Sequence, residues 1–349
     1  MERKRLRKGL VVMSYTIKDV AKHASVSIAT VSRVLNGQGG YSKVTEEKVH
    51  LAIKELGYQP NAFARGLISN KSNTLGILFP EVSSQFSSKI LRGVEEAAHR
   101  NDSSVIVCNT ASHGQRTMKY LRLLSEKRVD GILFVSEMIT EEYYNKLESM
   151  QIPVVLISTE SYQYPLPYVK VDDKHAAFTA TDYLVKMGHC KIGMISGNKD
   201  DVIAGQPRID GFKQALVQRG LAIKDENIIH SNGFSFNDGL TGLPKLLEQS
   251  PDLTAIFAAS DALALGAISA AYRLGIKIPE DLSIIGYDNL PIAEMAIPPL
   301  TTVAQPLEEM GFVAAEMLFM MMNQGRRVES RIMSHSVVER ESVKKVNLT

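Results

Sequence analysis

Residues 16–36 read TIKDVAKHASVSIATVSRVLN. Ile17, Val20, Ala21 and Ala24 recur at i, i+3, i+4 and i+7, the spacing of one buried helical stripe. Thr16 can cap that helix, with Asp19 at the capping-box position three residues on. Ser25-Val26-Ser27 interrupts the pattern, and Ser27 can cap a second helix, Ile28 to about Leu35, with Val31, Val34 and Leu35 inward. Two short helices joined by a three-residue turn with an apolar residue inside it make a helix-turn-helix. The opposite face of the second helix carries Ile28, Ala29, Ser32 and Arg33. An arginine fork matches guanine O6/N7 and a branched apolar side chain covers a thymine methyl. The bland alternative is a solvated face with a stray isoleucine.

Working outward, a third helix is expected from Thr45 to Leu56, capped by Thr45, with Glu46 and Glu47 at its positive end and Val49, Ile53 and Leu56 inward. Gly57 ends it. Pro60–Leu67 gives one or two helical turns with Gly66 inside, too short to stand alone in water. Ser69–Asn73 reads as a linker. A marginal helix in that place is a candidate for ordering on binding, with Leu67 either a wedge between base pairs or an ordinary linker leucine.

Charge follows the same division. Residues 1–72 hold 13 basic and five acidic side chains, a net +8, so the rest of the 349-residue chain is −6 against a total of +2. A basic head seeks polyanions and an acidic body does not. The two cysteines, Cys108 and Cys190, build no disulfide framework and sit in no CxxC, and the eight histidines form no HExxH, so no metal is expected. No apolar run approaches the roughly 20 residues of a membrane span. Residues 1–13 start basic, but Leu10–Met13 is too short for a signal-peptide core, so the chain reads as cytoplasmic and this stretch as a disordered tail, or as sequence upstream of a start at Met13.

From Thr74 the chain alternates short Val/Ile/Leu-rich runs with helix-period segments: Leu75–Pro80, Ser104–Cys108, Gly131–Val135, Val154–Ser158, Tyr168–Val171, Lys191–Ser196, Ile228–His230, Ala255–Ala258 and Leu282–Gly286 are the runs. Continuous apolar strands bridged by helices imply parallel sheets covered on both faces, and about ten strands suit two sheets better than one. Ligands of such sheets sit at strand carboxyl ends. That rule nominates Phe86, Arg208, Phe234, Ser260, Asp261 and Asp288. One arginine, two carboxylates and two rings suit a polyhydroxylated ligand. Helix caps or turns compete as readings of Asp261 and Asp288, and core packing competes for the two phenylalanines.

Thr16-Ile17-x-Asp19-Val20-Ala21, Val26-Ser27-x-Ala29-Thr30-Val31-Ser32-Arg33-Val34-Leu35-Asn36 and Gly57-Tyr58-x-Pro60-Asn61-x-x-Ala64-Arg65-x-Leu67 together resemble the LacI/GalR family of transcriptional regulators. So do Arg208-x-x-Gly211-Phe212, Ser260-Asp261-x-x-Ala264-x-Gly266 and Ile278-Pro279 through Asn289 in the body. The resemblance implies a small all-α helix-turn-helix head on an α/β body of two Rossmann-like parallel-sheet subdomains, as in type I periplasmic sugar-binding proteins. It implies a homodimer on a palindromic double-stranded DNA operator, repression, and control by a sugar or sugar derivative, with no cofactor and no enzymatic activity. It carries DNA contact to Thr16, Ser27, Ile28, Ala29, Thr30, Ser32, Arg33 and Asn36, and to Asn61, Ala64, Arg65 and Leu67 of the hinge, with Leu67 inserted at a central CpG step. It carries effector hydroxyls to Arg208 and Asp288, and cleft lining to Phe86, Phe234 and Ser260. The pattern departs at Ser83-Ser84-Gln85-Phe86-Ser87, where the family commonly reads Ser-Asn-Pro-Phe-Phe, so the effector need not be the usual pentose or hexose. An HPr-type phosphocarrier is a further partner of this kind of regulator. The expected divisions are 1–13, tail; 14–59, reader; 60–73, hinge and linker; and 74–349, effector and dimerisation body. The body's first subdomain spans about 74–171 plus 304–331, and its second about 172–303 plus 332–345. The competing reading is a sugar-binding transport receptor of the same body fold, which the basic head argues against. No GxGxxG, Walker A or GxSxG motif supports an enzyme.

Overall fold

The computed structural model describes residues 15–35, 37–58, 71–111, 114–325 and 327–346. The chain divides into two units at Ser72/Asn73. The expected tail and hinge helix, with Asn61, Ala64, Arg65 and Leu67, lie outside the described residues, as does Asn36.

In the first unit three helices, α1 (Ile17–His23), α2 (Ile28–Leu35) and α3 (Lys43–Leu56), close on Val20, Ala21, Ala24, Val31, Val34, Val49 and Ala52. Asp19 Oδ2 accepts from the backbone N–H and the hydroxyl of Thr16 at 2.8 and 2.7 Å, and those two bonds hold its carboxyl below the usual range. Ser27 Oγ accepts from Thr30 N–H at 3.1 Å and caps α2. The third helix starts two residues earlier than its sequence pattern suggests. Its cap is Ser42, which accepts from Thr45 N–H at 3.2 Å, rather than Thr45. Either hydroxyl suits a cap; Ser42 takes the position because Lys43 and Val44 are already helical. Gly57 leaves α3 at φ 61°, the left-handed conformation that glycine adopts without cost.

The body holds two six-stranded sheets. The first has the order β11-β5-β4-β3-β1-β2, with β1 (Thr74–Phe79), β2 (Ser104–Asn109), β3 (Gly131–Val135), β4 (Val154–Ile157), β5 (Tyr168–Val171) and β11 (Arg331–Met333), all parallel. The second has the order β12-β10-β9-β8-β6-β7, with β6 (Ile192–Ser196), β7 (Ile228–His230), β8 (Ala255–Ala258), β9 (Ser283–Asp288), β10 (Thr301–Ala304) and β12 (Ser336–Val338), parallel except for β12 against β10. The last three strands escape the sequence pattern because none is a Val/Ile/Leu-rich run: β10 opens on Thr301-Thr302, and β11 and β12 are edge strands that open on exposed Arg331 and Ser336.

The chain therefore passes between sheets after β5, after β10 and between β11 and β12. Two of the expected boundaries move. Ala304 belongs to β10 of the second sheet, and β11 stays in the first sheet to Met333, two residues past the expected crossing. Ladder hydrogen bonds, which sequence periodicity does not report over such short runs, decide both.

Each sheet is covered on both faces. In the first, Leu75, Ile77 and Phe79 of β1 face α4 (Gln85–Arg100) and α12 (Leu307–Gln324), while Leu78 faces α5 (Thr117–Lys127) and α6 (Glu141–Met150), the period-2 alternation of a strand. Backbones of α4 and α12 touch through Gly93 and Gly311: a Cβ on Gly93 would run into the carbonyl of Glu308, and one on Gly311 into that of Ile90. Met310 and Met317 of α12 are core residues, and Met320 is exposed. In the second, α7 (Asp173–Lys186) pairs with α8 (Gly205–Gln218), and α9 (Phe236–Gln249) with α10 (Asp261–Arg273), around one apolar cluster. A short helix, α11 (Pro291–Met295), follows β9. Among the described residues no helix is long and apolar enough to cross a membrane, and no cluster of three or more His, Cys, Asp or Glu could hold a metal.

Candidate functional site

In the head, packing α2 against α1 and α3 turns one face outward. Ile28 is 45 % exposed, and Ala29 and Arg33 are exposed beside half-buried Ser32. This face of α2 is therefore open to solvent and presents an arginine beside an apolar and a small side chain. The hydroxyls of Thr16, Ser27 and Thr30 serve the caps: Thr16 bonds Asp19, and Ser27 bonds Thr30 Oγ1 at 2.9 Å.

In the body, the carboxyl ends of the second sheet gather most of the nominated groups. Arg208, in the first turn of α8, is buried. Its Nε and Nη2 donate to Asp173 Oδ1 at 2.9 and 2.8 Å, and its Nη1 donates to the carbonyl of Ala259 at 2.6 Å. Its guanidinium carbon lies 3.8 Å from the Tyr287 ring centroid and 5.3 Å from that of Phe234. Burial by itself works against the cation, but Tyr287, Asp173 and Asp288 together raise its pKa. Asp288 ends β9 at φ 113° and Asn289 follows at φ 53°. Two non-glycine residues in the left-handed half of backbone space cost on the order of 1–3 kcal/mol each, and such strain concentrates at ligand sites. Gln305 Nε2 donates to Asp288 Oδ1 at 2.7 Å, and Arg340 Nη2 donates to Asn289 Oδ1 at 2.8 Å, which together hold the turn. Burial pushes the Asp288 carboxyl up to about 6 despite the nearby Arg208.

Three nominated residues have other work. Ser260 caps α10, accepting from Leu263 N–H at 3.1 Å and donating to the carbonyl of Phe234 at 3.0 Å. Asp261 is fully buried. Its two oxygens accept from Leu290 N–H at 2.7 Å and from the Thr302 hydroxyl at 2.5 Å, so it staples α10 to the segments after β9 and along β10. Asp261, nominated as an effector contact, thus has each carboxylate oxygen hydrogen-bonded within the protein. Phe86 lies inside α4, which begins at Gln85, and is half-buried against the first subdomain's core. Ser84 caps this helix, accepting from Ser87 N–H at 3.1 Å.

Contacts across the cleft join the subdomains beside Asp288. Lys89 Nζ of α4 donates to the carbonyl of Asn289 at 2.9 Å, and Ile292 N–H donates to Gln85 Oε1 at 3.3 Å. Asp173, Tyr287, Gln305 and Lys89 are the groups that sequence reasoning missed. Asp173 follows β5 and so obeys the same strand-end rule, but the pair Asp172-Asp173 reads first as a helix start. Ser158, just past β4 at φ 53°, carries the one buried side-chain polar atom without a hydrogen-bond partner among the described residues. A hydroxyl so placed at a strand carboxyl end is a further candidate ligand contact.

Residues 16–61 match the family described as bacterial regulatory proteins, lacI family, and residues 181–343 match a periplasmic binding protein-like domain. Catabolite control protein A of Priestia megaterium is 38% identical over 334 residues, covering 95% of this chain and 100% of that protein. The chain belongs to the lacI family of bacterial transcriptional regulators. The regulator DegA of Bacillus subtilis (strain 168) is 41% identical over 303 residues, covering 86% of this chain and 89% of that protein. Among solved structures, a lac repressor dimer bound to operator and an anti-inducer superposes with TM-score 0.85 at 26% identity, over 95% of this chain and 99% of that one. A complex of the regulator CelR with cellobiose gives 0.72 at 30%, over 94% and 99%. The helical head and the two parallel-dominated sheets of this lacI-family chain are thus those of its relatives.

Proposed function

We propose that this regulator is a repressor that binds a palindromic operator as a homodimer and is controlled by a small carbohydrate-like effector in the cleft between its subdomains. The exposed Ile28-Ala29-Arg33 face of α2 on a fully packed three-helix head carries this reading. Arg33 reads a guanine edge, and Ile28 and Ala29 cover a thymine methyl. Thr16, Ser27, Thr30, Ser32 and Asn36 contact the duplex around them. Asn61, Ala64, Arg65 and Leu67 enter the minor groove, where Leu67 acts as a wedge. The operator-bound dimer among the structural relatives supports the pairing. Arg208, Phe234 and Asp288, with Ser260 and Phe86 at the margins, form the effector cleft, and the cellobiose complex supports a sugar-like ligand. The effector acts by preferring one subdomain arrangement, since equal affinity for both shifts nothing. The protein works in the cytoplasm, without cofactor or metal, and is not an enzyme. An HPr-type phosphocarrier is a further partner that the resemblance suggests, and no observation on the described residues favours it.

The test is selection from a random duplex library with the full chain, followed by binding to variants of the selected site. A palindrome is expected. Arg33→Ala should lose about 1–3 kcal/mol of discrimination at one base pair per half-site. Recovery of no palindrome, or unchanged discrimination by Arg33→Ala, overturns the reading.

A further inference from the structure

Two of the passages between the sheets run side by side. Val171 at the end of β5 lies opposite Met333 at the end of β11. From there the chain passes through Asp172 into α7, and, on its later passage, through Ser334 and His335 into β12. The remaining passage is beside them, since Ala304 at the end of β10 lies opposite Ser336. Any change of angle between the subdomains has to bend these short links.

Two histidines meet at these links. His175, in the first turn of α7, and His335, inside the later passage, have ring centroids 5.1 Å apart with planes at 75°. Thr179 ties them. Its hydroxyl donates to the His175 carbonyl at 2.9 Å, which uses its one proton, so it accepts from His335 Nε2–H at 3.0 Å. Nδ1 of His335 is then the nitrogen that gains a proton in acid. His335 is half-buried, and His175 is exposed, its ring 6.2 Å from that of Phe178. A groove of about 400 Å³ between α7 and α8, lined by Asp172, Lys174, His175, Phe178, Gln214 and Gln218, opens the pair to water. The charges that bear on His335 are His175, Asp172 and Asp173, all at the start of α7. Burial, and then His175, hold its pKa below the ordinary 6.5, against the pull of the two carboxylates. Those carboxylates have work of their own: Asp172 Oδ1 accepts from His175 N–H at 3.0 Å, and Asp173 is paired with Arg208. From α8 the groove receives only the neutral Gln214 and Gln218, while Lys174 adds a positive charge.

We propose that His175 and His335 form an acid-sensitive pin between these two links. Neutral rings hold the links together through Thr179. Two imidazolium rings in contact repel each other in a partly desolvated place and part the links. The sign follows from His335. The folded chain resists a proton that the unfolded chain accepts at 6.5, so the contact's contribution is present above pH 6.5 and is lost as the pH falls below it. Acid therefore loosens the links from outside the cleft, with the proton as the signal and no ligand between the subdomains. Histidine is the side chain whose ordinary titration lies in the range that a cell's interior can reach. The pin works in the same way whatever the effector is.

The test is amide hydrogen exchange of the full chain without ligand, read by mass spectrometry at about pH 7.5 and about pH 5.5, either side of the usual histidine range. Rates are corrected for the intrinsic pH dependence of exchange. Residues 168–180 and 331–338 carry the two links. Their protection should fall together by more than about threefold in acid, outside the scatter of a neutral change, while β3 keeps its own. His335→Gln keeps an amide donor for Thr179, and His175→Phe keeps a ring against His335. Either substitution removes the paired charge, and in either the acid loss should shrink to within that scatter. Equal protection of the wild type at both pH values would overturn the pin. So would an acid loss that survives both substitutions, or one spread evenly through the body. None of these results touches the effector reading.

Discussion

Replacing Asp261 by asparagine tests whether this carboxyl is a structural staple. It is fully buried, and it accepts from Leu290 N–H and the Thr302 hydroxyl. Burial, and then the charge of Asp288, push it up to about 8 from an ordinary 3.8. The folded chain therefore keeps this proton through a pH range in which the unfolded chain has released it. Its contribution is fully present below pH 3.8 and is lost as the pH rises towards about 8, so stability falls through that window. About four units at roughly 1.4 kcal/mol each set an upper limit of about 6 kcal/mol. Asparagine is neutral at every pH. Its carbonyl can accept from Leu290 N–H while its amide donates to the Thr302 hydroxyl, which turns its own proton elsewhere. At pH 5, Asp261→Asn should cost about 1 kcal/mol. By pH 8.5 it should equal or exceed the wild type. Urea unfolding of both chains across this range gives the difference directly. Profiles that run parallel within about 0.5 kcal/mol, the scatter of a neutral surface change, would refute the buried-carboxyl argument.

Two further outcomes follow from the packing. Asp173→Ala strands the buried Arg208 guanidinium without its carboxylate, at a cost of about 3–5 kcal/mol. Thermal unfolding of the body should then fall by on the order of 10 °C, and a fall below about 2 °C would mean that the pair is replaceable by solvent. Gly93→Ala pushes a methyl into the Glu308 carbonyl across the α4–α12 contact. It should cost at least about 1–3 kcal/mol in the same scan, and an unchanged midpoint would show that the two helices can part freely.

Most of the architecture was legible in the chain. The stripes of α1 and α2 were readable because helical neighbours lie within eight residues. The apolar runs of the body gave nine of the strands, and the strand-end rule led to Arg208, Phe234 and Asp288. The last three strands were not legible, because Thr301-Thr302 opens β10 and the edge strands β11 and β12 open on exposed Arg331 and Ser336 rather than on buried apolar residues. The start of α3 was displaced by two residues, because Ser42 and Thr45 both stood ready to cap and only the formed turn selects one.

By itself, then, the sequence determined a basic three-helix head and a two-sheet body and nominated groups at strand ends, all of which rest on local spacing and charge. Tertiary structure decided which protein groups each of those strand-end side chains meets. Asp173 meets Arg208 across 35 residues, and Asp261 meets Leu290 and Thr302 across 29 and 41. The positive-φ backbone at Ser158, Asp288 and Asn289 likewise appears only in the folded chain. A polar side chain near a strand end reads the same in sequence whether it is spent on a distant backbone or left for a ligand. Only the folded chain brings the competing donors within reach.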